Sequence, residues 1–252
     1  MSDHKHAMVT GASEGIGRAF ARALAERGYA VTLVARREAA LAEVLRQMNG
    51  EGHGLLAADL STADGLAATR ARLADRHVHL LVNNAGVGAF GPFGALPLET
   101  HLEVCRLNMQ ALVALSHAFC QQAQPEDALV NVSSILGFAP QPSQPIYAAT
   151  KAFVTSLTES LWLEQKARGV HVMGLHPGAT STRFGEHAGR PMGFRRPVWM
   201  SQSPEQVVDV ALRALDRKKG PSVACGLVGR IFVTGARWLP RSWLVRLMRA
   251  AG

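Results

Sequence analysis

Short apolar runs alternate with longer amphipathic segments along most of the chain. Several of the runs, such as residues 30–35, are apolar and β-branched, which is typical of strands buried on both faces of a parallel sheet. Between the runs, apolar residues recur with helical spacing. The pattern predicts strands at residues 7–10, 30–35, 55–58, 79–82, 128–132, 170–176 and 222–225.

The intervening segments predict helices that alternate with these strands. The first ends near Arg27, before Gly28, and the others cover residues 38–48, 62–76, 98–124, 146–168 and 204–218. Such alternation implies right-handed βαβ units. We therefore predict an α/β fold, a Rossmann-like doubly wound parallel sheet of about seven strands with helices on both faces, in a single domain over residues 1–252.

The composition fits a globular protein with ample material for a core. Hydrophobic residues make up 48% and charged residues 18% of the chain. No signal peptide is expected from the polar first residues, and no apolar run approaches the ~18 residues of a membrane span. Three cysteines without metal-type spacing fit a reduced compartment, so we predict a cytoplasmic protein.

The net charge of +8 raises nucleic acid as a possible partner. Most of the basic residues are arginines scattered on helices among Glu and Asp, without a basic stripe and interleaved aromatics. A solvated basic surface is the favoured interpretation, and we predict no nucleic-acid partner.

A metal site or a serine hydrolase is not expected either. The histidines show no ligand spacing, and we expect His101, His117, His176 and His187 to be caps or surface groups. Ser133 and Ser134 lack the flanking glycines of a nucleophile elbow, which disfavours a hydrolase.

Candidate chemistry follows the predicted strands at one edge of the sheet. In doubly wound sheets, ligands bind beyond the carboxyl ends of the strands. Gly11, Asp59, Asn84, Ser134 and Pro177 all come at or just after the end of a predicted strand. Their shared position is stronger evidence for a ligand site than any one of them.

A glycine turn joins the first strand to the first helix. Glycines at 11, 15 and 17 let the backbone approach a pyrophosphate, whose charge the helix N-terminus favours. The spacing differs from G-x-G-x-x-G, and a purely structural turn is the alternative.

The residues after the second strand indicate the cofactor. An acidic residue there would bind the ribose of NAD, whereas an arginine accommodates the 2′-phosphate of NADP. Arg36 and Arg37 stand there, with no carboxylate before Glu38. Arg36 can bind a phosphate bidentately, so NADP(H) is predicted, the alternative being two solvated arginines.

Tyr147 and Lys151 are four residues apart on one predicted helix, and therefore share a face. A neighbouring ammonium favours phenolate, which suits a tyrosine to proton transfer near neutral pH. Such a pair is common, and an ordinary helix surface is the alternative.

The motifs together resemble the classical short-chain dehydrogenase/reductase family. The resemblance extends from residue 7 to about residue 225 and finds its motifs in order. It rests on Thr10-Gly11-x-x-x-Gly15-x-Gly17, Asn83-Asn84-Ala85-Gly86, Asn108, Ser134, Tyr147-x-x-x-Lys151 and Pro177-Gly178.

The resemblance implies four catalytic residues. Tyr147 would be the general acid in reduction and the base in oxidation. Lys151 would support it and bind the nicotinamide ribose, and Ser134 would orient the substrate carbonyl. Asn108 would hold a water that links Lys151 to solvent.

The resemblance also implies a binding surface for NADP(H). Asp59 would bond the adenine amino group, Asn84 would brace the central strands, and Thr182 would contact the carboxamide. Asp59 and Asn84 could instead be ordinary cap or turn residues. The expected cofactor-binding residues are Gly11, Ser13, Gly15, Ile16, Gly17, Arg36, Asp59, Leu60, Asn84, Ala85, Gly86, Tyr147, Lys151, Pro177, Gly178 and Thr182.

Residues 179–203 are predicted to form a lid over the substrate. Its candidate contacts are Arg183, Phe184, Met192, Phe194, Trp199 and Met200. Further apolar candidates for the pocket wall are Val87, Phe90, Phe93, Ile135 and Phe138. Each of these side chains could equally fill the core beneath a loop.

The tail, residues 226–252, is predicted to be amphipathic and basic. Trp238, Trp243, Leu244, Leu247 and Met248 are expected on one helical face, with the arginines elsewhere. Such a helix can lie on a membrane surface, contact a partner subunit or shield the pocket, and packing is the favoured interpretation. The tail is unlike the short ending of the family's acyl-carrier-protein reductases, which favours a lipophilic substrate.

The leading hypothesis is an NADP(H)-dependent enzyme that interconverts a lipophilic ketone or aldehyde and an alcohol. The alternatives are a 3-oxoacyl-thioester reductase and a non-catalytic NADP(H)-sensing module. A homodimer or homotetramer is expected by resemblance, paired through two long helices. The apolar faces expected to pair consist of Leu107, Leu112, Leu115, Phe119, Phe153, Leu157 and Leu161, although faces packed in the core would show the same pattern.

Overall fold

Nine strands occur in the part of the chain that the computed structural model describes, residues 5–189 and 201–250. They are β1 (His6–Thr10), β2 (Ala30–Ala35), β3 (Gly54–Ala57), β4 (Leu80–Asn83), β5 (Ala128–Val132), β6 (His171–His176), β7 (Ala179–Thr180), β8 (Ser201–Gln202) and β9 (Ser222–Ala224). Seven of them form a parallel sheet in the order β3-β2-β1-β4-β5-β6-β9. The predicted doubly wound α/β sheet is confirmed.

Helices cover both faces of this sheet. In chain order they are α1 (Gly15–Glu26), α2 (Glu38–Arg46), α3 (Ala63–Ala74), α4 (Leu98–Cys105), α5 (Leu112–Gln122), α6 (Pro145–Lys166), α7 (Phe184–His187), α8 (Pro204–Asp216), α9 (Gly226–Trp238) and α10 (Arg241–Ala250). Of the helices in the described residues, none is long and apolar enough to cross a membrane.

Two apolar cores flank the sheet because its strands are buried on both sides. Phe20 and Leu24 of α1 pack with Val207 of α8 on one face. Leu115 and Phe119 of α5 pack on the other face. The chain reverses direction across the sheet between β1 and β4, which lie side by side. This places the ligand crevice of a doubly wound fold at the carboxyl ends of those two strands.

The long helix predicted at residues 98–124 is wrong in detail. A π-helical turn, Arg106–Ala111, separates α4 from α5, and it contains Asn108. The apolar spacing continues through this turn, so the sequence pattern gave no signal of it. Turns of this kind are frequent at functional sites.

The faces expected to pair subunits are partly wrong as well. Leu107, Leu112, Leu115 and Phe119 are buried in the core of this chain. They are therefore not available for an interface. Of the expected residues, Phe153 is exposed, and these helices also expose Leu98, Leu102, Val113 and Leu163.

The tail does not present the single apolar face that was predicted. The chain breaks after Trp238 at Leu239 and Pro240, and two helices result. Leu244 and Met248 pack inward against Ala139 and Ala236, whereas other apolar side chains of the tail face solvent. Proline lacks an N–H and cannot continue a helix, which accounts for the break.

Candidate active site

The glycine turn lies at the carboxyl end of β1 and leads into α1. Gly11 has φ +66° and Gly15 has φ +55°, a region that L side chains rarely adopt. A Cβ on Gly17 would lie 2.1 Å from the carbonyl oxygen of Gly11, so the helix starts in direct contact with the turn. Ser13 and Ile16 are half-buried in the same loop and first helical turn. The turn fits a dinucleotide because it brings the N-terminus of α1 directly to the end of β1, and helix N-termini bind pyrophosphate.

Asn84 ties the ends of β1 and β4 together. Its Nδ2 donates to the carbonyl oxygen of Thr10 at 2.9 Å, and its backbone N–H donates to Thr10 Oγ1 at 2.9 Å. The N–H of Ala85 donates to the same hydroxyl at 3.0 Å. The structure therefore places Asn84 as a brace beside the glycine turn, with Ala85 and Gly86 next along the crevice.

Asn108, Gly86 and Lys151 meet at the centre of the crevice. Asn108 Oδ1 accepts from the N–H of Val87 at 2.9 Å, and its Nδ2 donates to the carbonyl of Val87 at 2.9 Å. A Cβ on Gly86 would lie 3.2 Å from Asn108 Oδ1 and 3.6 Å from Lys151 Nζ. The amide of Asn108 is thus fixed on the Val87 backbone and Thr150, and Asn108 and Lys151 both lie close to Gly86.

Lys151 is buried, with 5% of its surface exposed. Its Nζ donates to the carbonyl oxygen of Val132 at 2.8 Å and lies 5.7 Å from the ring centroid of Tyr147. Desolvation by burial lowers the pKa of Lys151 to about 8. The ammonium is therefore present at neutral pH beside the tyrosine and can be lost in mildly alkaline solution.

This burial predicts a pH dependence for the free enzyme. Between neutral pH and about pH 8 Lys151 carries a proton, and above its pKa of about 8 the charge is lost. We expect kcat/KM for carbonyl reduction to fall as pH rises through about 8, because that parameter reports groups of the free enzyme. Initial rates with subsaturating carbonyl substrate, measured at intervals from about pH 6 to about pH 10, give kcat/KM as a function of pH and check this prediction. A profile that rises through pH 8 would contradict a role for the ammonium.

Ser134 lies at the carboxyl end of β5, next to the lysine. Its Oγ accepts from the N–H of Leu136 at 3.1 Å and starts a short 3-10 turn, Ile135–Gly137. Ser133 Oγ donates to the carbonyl of Lys151 at 2.8 Å and so fixes the strand end to α6. Tyr147, half-buried, lies in the first turns of that helix. The strand, the helix and the π-helical turn bring the four predicted catalytic residues to one edge of the sheet.

Arg36 and Asp59 lie at the ends of β2 and β3. Arg36 Nη1 is 3.9 Å from Asp59 Oδ2 and 3.8 Å from Glu103 Oε1, and 56% of its side chain is exposed. Asp59 Oδ1 accepts from the N–H and the hydroxyl of Ser61. Partial burial alone would raise the pKa of Asp59, but the Ser61 bonds and the Arg36 charge outweigh it and hold the pKa below its ordinary value. Arg36 is thus an exposed cation with two distant partners, accessible to a stronger anion.

Leu60 and Thr182 have more limited roles in the structure. Leu60 is buried in the second core, directly after Asp59. The methyl group of Thr182 lies 3.0 Å from where a Cβ of Gly15 would be, so Thr182 contacts the glycine turn. Pro177 and Gly178 contact Ile135. The N–H of Ile135 donates to the Pro177 carbonyl at 3.0 Å, and Cδ1 of Ile135 lies 3.7 Å from an ideal Cβ on Gly178.

The described part of the predicted lid covers the tyrosine. The ring centroid of Phe184 in α7 lies 5.3 Å from that of Tyr147. A Cβ on Gly88 would approach Phe184 Cζ and Ala188 Cβ to 3.1 Å, so only glycine allows this close packing. Met192, Phe194, Trp199 and Met200 lie outside the described residues, as do residues 1–4 and 251–252.

The predicted wall of the pocket is only partly reproduced. The N–H of Phe90 donates to the carbonyl of Ala188 at 2.8 Å, which joins this segment to α7. Phe93 is 57% exposed and stacks on His101. Phe138 packs on His176 and beneath Arg237. Val87 contributes to the second core.

Glu14 links the glycine turn to the lid, a role that the sequence did not reveal. Its carboxylate lies 2.8 Å from Arg37 Nη2, 2.6 Å from Arg183 Nη2 and 3.1 Å from His187 Nδ1. Partial burial opposes ionisation, but these partners outweigh it and lower the pKa of Glu14. Arg183 and His187 lie 169 and 173 positions away in sequence, so no local pattern could indicate the contact.

Replacing Glu14 with glutamine should loosen the lid. Partly exposed ion pairs contribute little each, so we expect amide exchange in residues 182–188 to accelerate about threefold to tenfold. Hydrogen–deuterium exchange with mass spectrometry checks this. Glu43→Gln is the matched control, because Glu43 also pairs with an arginine but lies on α2. Unchanged lid exchange in the Glu14 variant would contradict the link.

The histidine predictions are wrong in two cases. His176 has no exposed surface and lies between the carbonyl oxygen of Ser134 (3.3 Å) and the hydroxyl of Ser222 (3.0 Å). Desolvation lowers the pKa of His176 to about 4, so the ring is neutral at pH 7. His101 is buried and lies 2.9 Å from the carbonyl of Phe93. His117 is exposed, and His187 pairs with Glu14 at the surface.

Three possible metal ligands do converge at the opposite edge of the sheet, namely His77, His79 and Asp127. His77 Nε2 lies 3.0 Å from Asp127 Oδ2, within hydrogen-bonding distance. His79 Nδ1 accepts from the backbone N–H of His6 at 3.0 Å, so the neutral ring carries its proton on Nε2.

Comparison with known proteins gives a consistent result. The family model for short chain dehydrogenases matches residues 5–192. A short chain dehydrogenase of Pseudocercospora fijiensis is 34% identical over 72% of this chain, which covers 61% of that relative's own length. A very-long-chain 3-oxoacyl-CoA reductase of Bos taurus is 29% identical over 83% of this chain and 68% of its own length.

Solved structures with bound cofactors or known substrates are also similar. A short-chain dehydrogenase from Sphingobium yanoikuyae in complex with NADPH has a TM-score of 0.81 and 34% identity, covering 92% of this chain and 93% of its own. A bulky-bulky ketone specific alcohol dehydrogenase from Comamonas testosteroni has a TM-score of 0.79 and 30% identity, covering 94% and 93%. A short chain dehydrogenase/reductase from Burkholderia phymatum in complex with NAD has a TM-score of 0.80 and 25% identity, covering 93% and 92%.

Proposed function

The chain belongs to the short-chain dehydrogenase family, and from that premise we propose that it is an NADP(H)-dependent reductase of a lipophilic ketone or aldehyde, able to run in reverse on the alcohol. The observation that carries the proposal is the convergence of Tyr147, buried Lys151 and Asn108 beside the glycine turn. When bound, NADP(H) would supply or accept the hydride.

The residues of this chain manage the carbonyl and one proton. Ser134 orients the carbonyl oxygen and donates to it as negative charge develops. Tyr147 gives its hydroxyl proton to that oxygen in reduction and takes it back in oxidation. Lys151 holds positive charge beside the phenol, and Asn108 supports it from the π-helical turn.

The glycine turn and Arg36 would hold the cofactor. Gly11, Ser13, Gly15, Ile16 and Gly17 would meet the pyrophosphate at the N-terminus of α1. Arg36 would bind the 2′-phosphate, and its two loose carboxylate partners would be displaced. The remaining proposed contacts are Asp59, Leu60, Asn84, Ala85, Gly86, Tyr147, Lys151, Pro177, Gly178 and Thr182.

The substrate is proposed to be lipophilic because one aromatic side chain lies against the tyrosine and another follows Ser134 closely in the chain. Phe184 covers Tyr147 in the lid, and Phe138 lies under the tail near Ser134. The similar alcohol dehydrogenase is described as specific for bulky-bulky ketones, which supports this choice. Residues 179–203 act as the lid in this proposal, in one domain spanning residues 1–252.

A second candidate is the reduction of a 3-oxoacyl thioester. The similarity to a very-long-chain 3-oxoacyl-CoA reductase favours it. A non-catalytic sensing module is disfavoured because the Tyr147 and Lys151 pair is retained. The proposed protein is a cytoplasmic homodimer or homotetramer.

A substrate screen separates these functions. Purified protein with NADPH is offered free bulky ketones, 3-oxoacyl-CoA and 3-oxoacyl carrier protein, and absorbance of NADPH is followed. We expect turnover of the free ketones with kcat/KM at least about tenfold above the thioesters, a difference of roughly 1.4 kcal/mol in transition-state binding. Preference for the thioesters would select the second candidate, and oxidation of NADPH by none would favour the sensing module.

A further inference from the structure

The net positive charge of the protein is confined to its C-terminal segment. Residues 217–252 contain eight Lys and Arg residues and no Asp or Glu. The whole chain has a net charge of +8, so residues 1–216 are balanced overall. An uneven distribution of this kind creates a local positive potential even where the average composition looks ordinary.

The same segment exposes most of the large apolar side chains at the surface. On α9, Leu227 is 73%, Ile231 64% and Trp238 85% exposed, and these three follow one stripe of the helix. On α10, Trp243 is 64% and Leu247 58% exposed, one turn apart. Exposed apolar residues in consecutive helices usually mark an interaction site.

The opposite faces of the two helices are fixed to the rest of the protein. Ala236, Leu244 and Met248 are buried together with Ala139. Arg241 Nη1 donates to the carbonyl of Phe138 at 3.4 Å, and Arg237 lies over the Phe138 ring. The buried faces of α9 and α10 thus pack against the loop that follows Ser134, and the exposed stripe lies on the opposite side of the helices.

A second copy of this chain is a poor partner for this surface. A two-fold interface would bring the same patch of each subunit together, with like charges opposed. The arginines that would meet include Arg230, Arg246 and Arg249, which are exposed. Residues 217–252 contain no Asp or Glu that could pair with them across such an interface. Nucleic acid would satisfy the charge but leave the tryptophans and leucines in contact with water.

We propose that α9 and α10 dock the protein onto an anionic lipid membrane surface. The exposed Trp, Leu and Ile side chains would enter the boundary between headgroups and acyl chains, and the arginines would bind lipid phosphates. Tryptophan is the side chain that favours this boundary. The site is peripheral to the cofactor crevice and would place the Ser134–Phe138 loop close to lipid.

Vesicle flotation with the full-length protein tests this docking directly. The probes are vesicles of phosphatidylcholine alone and of equal parts phosphatidylcholine and phosphatidylglycerol. We expect at least about tenfold tighter binding to the anionic vesicles, weakened by added salt. Equal binding to both kinds of vesicle, or to neither, overturns the proposal.

Substitutions in α9 and α10 test whether these two helices form the membrane-binding surface. Trp238→Ala with Trp243→Ala should weaken anionic vesicle binding at least about tenfold, and replacing Arg230, Arg246 and Arg249 with glutamine should weaken it about 100-fold. Leu98→Ala and Arg70→Gln are controls, because Leu98 is 69% exposed and Arg70 lies on α3, outside the tail. Circular dichroism and rates with a soluble ketone should be unchanged in all variants. Wild-type binding in the tail variants, or an equal loss of binding in the controls, overturns the assignment.

Two further measurements test the alternative partners, which are a second subunit and nucleic acid. Sedimentation velocity in the absence of lipid should give the same oligomeric state for wild type and the tail variants. A change in that state assigns the surface to a subunit contact and overturns the proposal. Binding of double-stranded DNA in preference to anionic vesicles would overturn it in favour of nucleic acid.

Discussion

Replacing Tyr147 with phenylalanine should lower kcat for carbonyl reduction by at least about a thousandfold. The change removes one hydroxyl, and with it the only proposed proton donor to the substrate oxygen. The ring itself remains, so its packing against Phe184 and its position near Lys151 should persist. NADPH affinity, measured by fluorescence titration, should stay within about threefold of wild type.

The sequence contains a matched control for this experiment. The chain has two tyrosines, and the other one, Tyr29, is half-buried against the core beside α1. Tyr29→Phe removes the same hydroxyl far from the crevice, and it should leave kcat within about twofold. If both variants retain full activity, Tyr147 is not the proton donor. If both lose activity together, the loss reflects folding and not chemistry.

Replacing Arg36 with aspartate should weaken NADPH binding about 100-fold and NADH binding less than about threefold. The guanidinium is exposed and only loosely paired with Asp59 and Glu103, so its charge is accessible to a 2′-phosphate. The aspartate removes that bidentate donor and places a negative charge beside the phosphate. NADH has a hydroxyl at this position, which a carboxylate can accept.

The measurement is the dissociation constant for each cofactor, obtained at fixed ionic strength. Arg70→Asp serves as the control, since it makes the same change in net charge on α3, remote from the crevice. It should alter neither constant by more than about twofold. An equal loss of NADPH and NADH in the Arg36 variant would refute the role of Arg36 in cofactor choice.

The fold could be predicted because its signals are local. Strands buried on both faces must be apolar throughout, and each was visible as a short run between helical segments. The candidate residues followed the strand ends, where a parallel sheet brings its ligand groups together. Gly11, Asn84 and Ser134 are far apart in sequence, but they follow β1, β4 and β5, which are neighbours in the sheet.

The features that sequence reasoning missed depend on contacts between distant segments. The π-helical turn around Asn108 adds one residue to a helix whose apolar spacing continues, so its pattern is unchanged. His176 lies between Ser134 and Ser222, and Glu14 pairs with Arg183 and His187. Only the folded chain brings these partners together. In the tail, Pro240 is a helix-breaking signal in the sequence, but the sequence does not indicate which side of each helix packs on Ala139.

The direct test of the central claim is isotope transfer from the cofactor to a bulky ketone. NADPH carrying deuterium at both C4 positions of the nicotinamide is mixed with wild-type protein and ketone, and the alcohol is analysed by mass spectrometry. The proposed function predicts one deuterium on the carbinol carbon for each NADPH oxidised, and almost none with Tyr147→Phe. Oxidation of NADPH without deuterium in the alcohol, or labelled alcohol formed equally well by the variant, would contradict it.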